Sequence, residues 1–260
     1  MTFLTINSRR VLSSLLVVFA GAVGDTLAVA AQNDVAEKPA FPRESAKAVS
    51  LVGGGQPATA PEPRVLAWDV TWQKGQVTPL LAHPLDEVVV TLDDGAVRLT
   101  MPDGHSRIEF SRHGDVRFLP KGRVESEEGI SDTPRRAIVV QLQDNLPPLV
   151  DLPKIPGVPS QFPRRGANKL FGTDRFIIWD QVLNWPEGQH AEFHAHYHPS
   201  VEINIEPGRT LGFNREGQLT GSPDGILWTP GRVTYGSGRP PHSEGSIGQP
   251  PRFIFIELLK

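Results

Sequence analysis

The sequence predicts an all-β protein built as two tandem barrels joined by a proline-rich linker. Three observations carry this expectation. Short β-branched or alternating segments recur at regular spacing between turn signals such as Asp94-Gly95, Asp103-Gly104 and His113-Gly114, the pattern of a barrel or sandwich. The 25 glycines and 25 prolines among 260 residues point to many turns and short strands rather than long helices. The second half of the chain also answers the first, motif by motif and in the same order.

Composition narrows the function classes. An apolar content of 38% supports real cores, and a net charge of −3 gives no reason to expect a nucleic acid or an anionic membrane surface as partner. With no cysteine, disulfides, thiolate catalysis, zinc fingers and iron–sulfur clusters are excluded. Any metal must be held by histidine and carboxylate.

Residues 1–30 read as an export signal. Arg9-Arg10 precedes an apolar run from Val11 to Ala20, and Ala28-Val29-Ala30 offers small residues for cleavage. The run is about half the roughly 20 residues that a membrane span needs, so no span remains once the signal is removed, and the location is periplasmic or secreted. Ser8-Arg9-Arg10-Val11-Leu12 resembles a twin-arginine signal, with an ordinary secretory signal as the alternative. Residues 31–62 form a flexible leader rich in Ala, Pro, Gly and charge. Its Gly53-Gly54-Gly55 lies in a proline-rich setting and not between a strand and a helix, so it is no phosphate loop.

Barrel 1 spans 63–144, with strands at 87–92, 97–101, 107–110, 116–119 and 137–142. Six prolines then break the pattern within the linker, 145–168. Barrel 2 spans 169–260, with strands at 176–183, 201–206, 226–229 and 253–259. The repeat pairs Trp68-Asp69 with Trp179-Asp180, His83 and Glu87 with His198 and Glu202, Gly122-Arg123-Val124 with Gly231-Arg232-Val233, and 136–142 with 252–258.

Four of the eight histidines, His190, His194, His196 and His198, fall in one short stretch. On a strand His194, His196 and His198 share a face, and Glu202 follows after three residues. Two imidazoles and a carboxylate meeting with open positions bind Fe(II), Mn(II) or Zn(II). The competing reading is an exposed histidine-rich strand edge. Tyr197, Asn204 and Arg232 are the polar candidates for a substrate pocket, and no residue can be assigned as a general base.

At these residues the chain resembles the cupin superfamily in its duplicated, bicupin form, over about 64–260. The first cupin motif is Gly, five residues, His-x-His, three or four residues, Glu; the second is Gly, five residues, Pro-x-Gly, two residues, His. In the first half Gly75, Leu81-Ala82-His83 and Glu87 keep the first frame, and Gly114, Pro120-Lys121-Gly122 and Glu125 keep the second. Leu81 and Glu125 replace histidines, which implies a degenerate first site of His83, Glu87 and Glu125. In the second half His196-Tyr197-His198 and Glu202 fit the first motif. Gly188 frames His194 instead, but then five residues follow His198's neighbour His196 before Glu202, and alignment to the first half selects His198. An insertion of about eight residues, Thr234 to Pro241, would move the fourth ligand to His242.

The resemblance implies cupin-like barrels of the double-stranded β-helix, or jelly-roll, type. Its metal ligands are His196, His198, Glu202 and His242, with His194 as the alternative. They hold one divalent transition metal, Fe or Mn being favoured over Zn, Ni or Cu. It further implies a small-molecule substrate or ligand, a possible homo-oligomer, and metal-dependent oxidation of the dioxygenase type. An isomerase or lyase and a non-catalytic binding or assembly module are the alternatives.

Overall fold

Runs such as Glu87 to Leu92 and Ala137 to Leu142 carry β-branched residues on consecutive positions, and the structure gives the reason: both faces of these strands are buried. The computed structural model describes residues 46–49, 52–53, 64–144, 149, 152–186, 188–236 and 238–259. The predicted export signal and nearly all of the predicted leader lie outside the described residues. Among the described residues there is no helix.

The strands up to residue 142 are β1 (Lys47–Ala48), β2 (Val52–Gly53), β3 (Val65–Trp72), β4 (Leu81–His83), β5 (Asp86–Asp93), β6 (Gly95–Thr100), β7 (Ser106–Ser111), β8 (Val116–Leu119), β9 (Arg123–Gly129) and β10 (Arg135–Leu142). Beyond the linker follow β11 (Ala167–Gly172), β12 (Phe176–Val182), β13 (His194–His196), β14 (Ser200–Glu206), β15 (Gly208–Phe213), β16 (Leu219–Thr220), β17 (Ile226–Trp228), β18 (Val233–Gly236), β19 (Arg239–Ile247) and β20 (Arg252–Leu258). The first half closes as two sheets, β1-β3-β10-β5-β8 and β4-β9-β6-β7. The second closes as β11-β12-β20-β14-β18-β2 and β13-β19-β15-β16, with β17 paired to β15. Apart from edge strands the halves correspond: β3-β10-β5-β8 with β12-β20-β14-β18, and β4-β9-β6 with β13-β19-β15. The repeated ion pairs Arg136–Asp69 and Arg252–Asp180, at 2.7 and 2.8 Å, occupy equivalent rungs.

Side-chain alternation sorts these strands into separate cores. In β10, Ala137 and Val139 pack inside barrel 1 with Trp68, Trp72 and Val97. Ile138, Val140 and Leu142 face the other way, into one core shared with Ile203, Ile254 and Ile256 of the second half. In β20, Phe253 and Phe255 line the inside of barrel 2 with Trp179 and Trp228. The two large sheets thus pack outer face to outer face, and full burial of side chains of this size is worth about 1.5–3 kcal/mol each.

The register corrects part of the predicted repeat. Gly231 takes the place of Gly114, and Gly238-Arg239 that of Gly122-Arg123; all four glycines have positive φ, from 82° to 115°. The spacing from Gly231 to His242 then equals that from Gly114 to Glu125, and no eight-residue insertion exists. Positions 234–236, read as inserted, lie in β18 instead. Pro240-Pro241 hid β19 from the sequence. It pairs with β13 across a register shift between His194 and His196, where missing N–H groups are tolerated.

Candidate metal centre

β13 is only three residues long, and all three of its residues are buried. His194 and His196 point into barrel 2 while Ala195, between them, packs outward on Val158 and Tyr197. Antiparallel pairing sets His242 opposite His194 and Arg239 opposite His196. One ligand nitrogen each of His194, His196 and His242 lies within 4.8 Å of the other two.

Backbone carbonyls orient two of these rings. His194 Nδ1 lies 2.8 Å from the Glu192 carbonyl and His242 Nδ1 lies 2.9 Å from the Pro240 carbonyl. A carbonyl only accepts, so each Nδ1 carries the hydrogen and each Nε2 presents a lone pair inward. Glu244 lies against two of the three rings. Its Oε2 is 3.3 Å from His194 Nε2 and 3.5 Å from His242 Nε2. Two donors about 2.1 Å from one ion and about 109° apart are about 3.4 Å from each other, so these separations are those of co-ligands. Both nitrogens of His196 and Oε2 of Glu244 are buried without hydrogen-bond partners, a cost that a bound cation removes. The donor set therefore fits one divalent metal held by His194, His196 and His242, with the Glu244 carboxylate against two of the three imidazoles.

Electrostatics favour the ligating protonation states. Burial lowers His194 to about 4, against the attraction of Glu244, and burial lowers His196 well below its ordinary value, so both imidazoles are neutral at pH 7. Burial works to raise the Glu244 carboxyl, but Arg164, His194 and His242 outweigh it and hold the group low, at about 2. Arg164 Nη1 sits 2.7 Å from Glu244 Oε1 and 3.1 Å from His194 Nε2. This arginine comes from the predicted linker. Phe162 anchors the segment by stacking on Trp179 at 4.8 Å, and Arg164 Nε donates to Gln181 Oε1 at 2.9 Å.

The predicted ligands divide. His196 and His242 join the group, and His194, the alternative, joins them. His198 does not, because β13 ends at His196 and the chain turns before β14, so strand alternation does not reach position 198. Glu202 is buried near Arg239 Nη2, at 2.8 Å, and accepts from Thr234 Oγ1 at 3.2 Å. Its carboxylate is outside the histidine group. Of the predicted pocket residues, Tyr197 lines an apolar pocket of about 400 Å³ with Leu152, Ile155, His196, Arg239 and Pro241. Asn204 instead donates to the backbone carbonyls of Glu206 and Arg252, and Arg232 covers the Trp228 ring at 4.3 Å. Sequence reasoning missed Glu244, although it is two residues from His242 and so on the same strand face. It also missed Arg164, for which no sequence signal existed.

In barrel 1, His83, Glu125 and Glu127 form the corresponding cluster. Glu87, predicted to join His83 and Glu125, is engaged by Arg123 Nη2 at 3.0 Å, Gln141 Nε2 at 3.1 Å and His83 Nδ1 at 3.1 Å.

No protein-family model and no curated protein sequence matches the chain. Solved structures match its fold. A cupin 2 conserved barrel domain protein from Leptotrichia buccalis is similar at 10% identity over 85% of this chain and 92% of that one, with a TM-score of 0.50. Oxalate decarboxylase of Bacillus subtilis is similar at 14% identity over 85% of this chain and 76% of that one, with a TM-score of 0.49. A cupin domain from Bordetella pertussis matches at 22% identity over 36% of this chain and 98% of that one, with a TM-score of 0.30. The chain thus has a cupin-like fold, arranged as two barrels. It carries candidate metal-binding groups of histidine and glutamate in both barrels.

Proposed function

We propose that this protein is a metal-dependent oxidoreductase of the dioxygenase type, acting on a small and largely apolar molecule in barrel 2. One observation carries the reading: His196 belongs both to the histidine group and to the wall of the 400 Å³ apolar pocket. A molecule in that pocket lies against His196, and Leu152, Pro153, Ile155 and Pro241 give it an apolar wall. A bound divalent ion supplies Lewis acidity and, when it is Fe or Mn, a redox couple. The chain's own residues hold the neutral imidazoles, fix their tautomers and place one carboxylate against them. Arg239, at the pocket wall, offers a positive charge for orienting an anionic substituent. The export signal read in residues 1–30 supports an exported, periplasmic or secreted site of action.

The test is elemental analysis of the full chain purified without chelator or affinity metal, followed by oxygen-uptake screening with small apolar acids. About one Fe or Mn per chain dependent on His196 and His242, with oxygen consumption that His196→Ala abolishes, is the expected result. Ligand binding with no turnover under any metal overturns the enzyme reading in favour of a binding module.

A further inference from the structure

Barrel 1 buries an arginine that no carboxylate holds. Arg135 opens β10 and is 4% exposed. It pairs across the ladder with Trp72 of β3, so both side chains point into the barrel. The guanidinium lies over the Trp72 ring at 4.6 Å. The equivalent rung of barrel 2 carries Pro251, which precedes Arg252 as Arg135 precedes Arg136. Gly95 makes the room. A Cβ there would meet Arg135 Cβ at 2.6 Å and Ser131 Oγ at 2.9 Å, so only glycine lets β6 begin so close to β10.

A charged side chain this deeply buried is ordinarily paired. Arg135 Nε is instead buried with no hydrogen-bond partner, and among the described residues no carboxylate forms an ion pair with the guanidinium. The acids that attract it from a distance are engaged elsewhere. Glu109 pairs with Arg117, and Asp115 accepts from the Arg112 backbone N–H at 2.8 Å. The other acids of the same cavity are taken too. Arg123 holds Glu87 and Glu125, at 3.0 and 2.6 Å, and Glu127 accepts from Trp72 Nε1 at 2.7 Å, at the edge of the ring and not over its face. Burial lowers Arg135 to about 10, which leaves it charged at neutral pH. Stacking on Trp72 covers one face of the guanidinium but gives its Nε no acceptor.

Arg135 lines the barrel 1 cavity of about 30 Å³, room for a halide or a water and for nothing of organic size. A guanidinium has N–H donors and no acceptor, so its complement is an acceptor that carries negative charge. Water supplies the acceptor and leaves the charge uncompensated. Val97, Leu99 and Val139, also in the cavity wall, suit an ion that sheds its hydration readily. We propose that Arg135 anchors a small-anion site inside barrel 1, taken by a monovalent ion of chloride size. The ion neutralises the buried guanidinium and ties the start of β10 to β3 from within. This site stands independently of the function proposed for barrel 2.

The experiment titrates chloride into the full chain in chloride-free buffer and reads the chloride NMR line width. A broadening that saturates, that bromide displaces, and that Arg135→Met removes is the expected result. Methionine keeps an unbranched side chain on Trp72 and deletes the charge, so the loss reports the guanidinium. Broadening that only rises in proportion to chloride, or a saturable component that persists in Arg135→Met, overturns the proposal. If the variant does not fold, crystals of the unmodified chain grown with bromide decide it by anomalous diffraction. A bromide at the Arg135 guanidinium inside barrel 1 supports the site, and no bromide there overturns it.

Discussion

The two barrels place different chemistry on the same positions. Leu81, His83, Glu125 and Glu127 of the first stand where His194, His196, His242 and Glu244 stand in the second, as the pairings of β4 with β9 and of β13 with β19 require. Arg123 contacts Glu87 in one as Arg239 contacts Glu202 in the other. Strand pairing conserves where a side chain points, and only the donor atoms have changed. The surroundings have changed with them: a cavity of about 30 Å³ in barrel 1, an apolar pocket of about 400 Å³ in barrel 2. The difference leaves little free space beside these positions in the first and an apolar pocket beside His196 in the second.

The largest expected effect breaks the comparison at its nitrogen-rich end. His196→Ala or His242→Ala should remove metal from barrel 2 altogether, whereas His198→Ala should leave metal content unchanged, since position 198 lies past the end of β13. Metal analysis of the three variants decides it. Retention after His242→Ala, or loss after His198→Ala, would contradict the assignment.

A second test uses acid. Burial lowers His194 to about 4 from 6.5, so the unfolded chain binds protons that the folded chain refuses. Stability from this group is fully present above pH 6.5, declines as pH falls toward 4, and amounts to about 3 kcal/mol over that window. Urea unfolding of the metal-free chain at pH 7 and pH 4.5 should show the loss, and His194→Gln should reduce it. A pH-independent midpoint would mean that His194 is more solvated than its 2% exposure indicates.

Much of this arrangement was legible beforehand. The repeat, the strands of the large sheets and the histidine cluster follow from alternation and turn chemistry. The choice between His194 and His198 did not, because five residues separate His196 from Glu202 where three separate His83 from Glu87. Matching the carboxylates therefore shifted the histidines by two. Gly188, separated from His194 by five residues, pointed the right way. Pro240-Pro241 concealed a strand, and with it the shared face of His242 and Glu244. Arg164 was unreadable because a linker's position against a barrel depends on tertiary contacts such as Phe162 on Trp179.

Carboxylate variants sharpen the comparison further. Glu244→Gln should weaken barrel 2 metal binding about 10–100-fold, the range for loss of a close supporting group. Glu202→Gln should cost less, since its carboxylate lies at Arg239 and outside the histidine group. Isothermal titration with Zn2+ or Mn2+ separates the two, and the reverse order would restore Glu202 as the ligand.

The smallest expected effect concerns Arg164, whose counterpart barrel 1 lacks at this position in the described contacts. Its guanidinium shares Glu244 with any bound ion and approaches His194 Nε2 to 3.1 Å, so two cations compete for one carboxylate and one lone pair. Arg164→Gln should raise barrel 2 metal affinity a few-fold, because relief of like-charge repulsion outweighs the lost orientation of Glu244. Gln181 and Phe162 continue to hold the segment in that variant. Weaker binding would instead make Arg164 the residue that positions Glu244, and the extra cation would then belong to the architecture of the site.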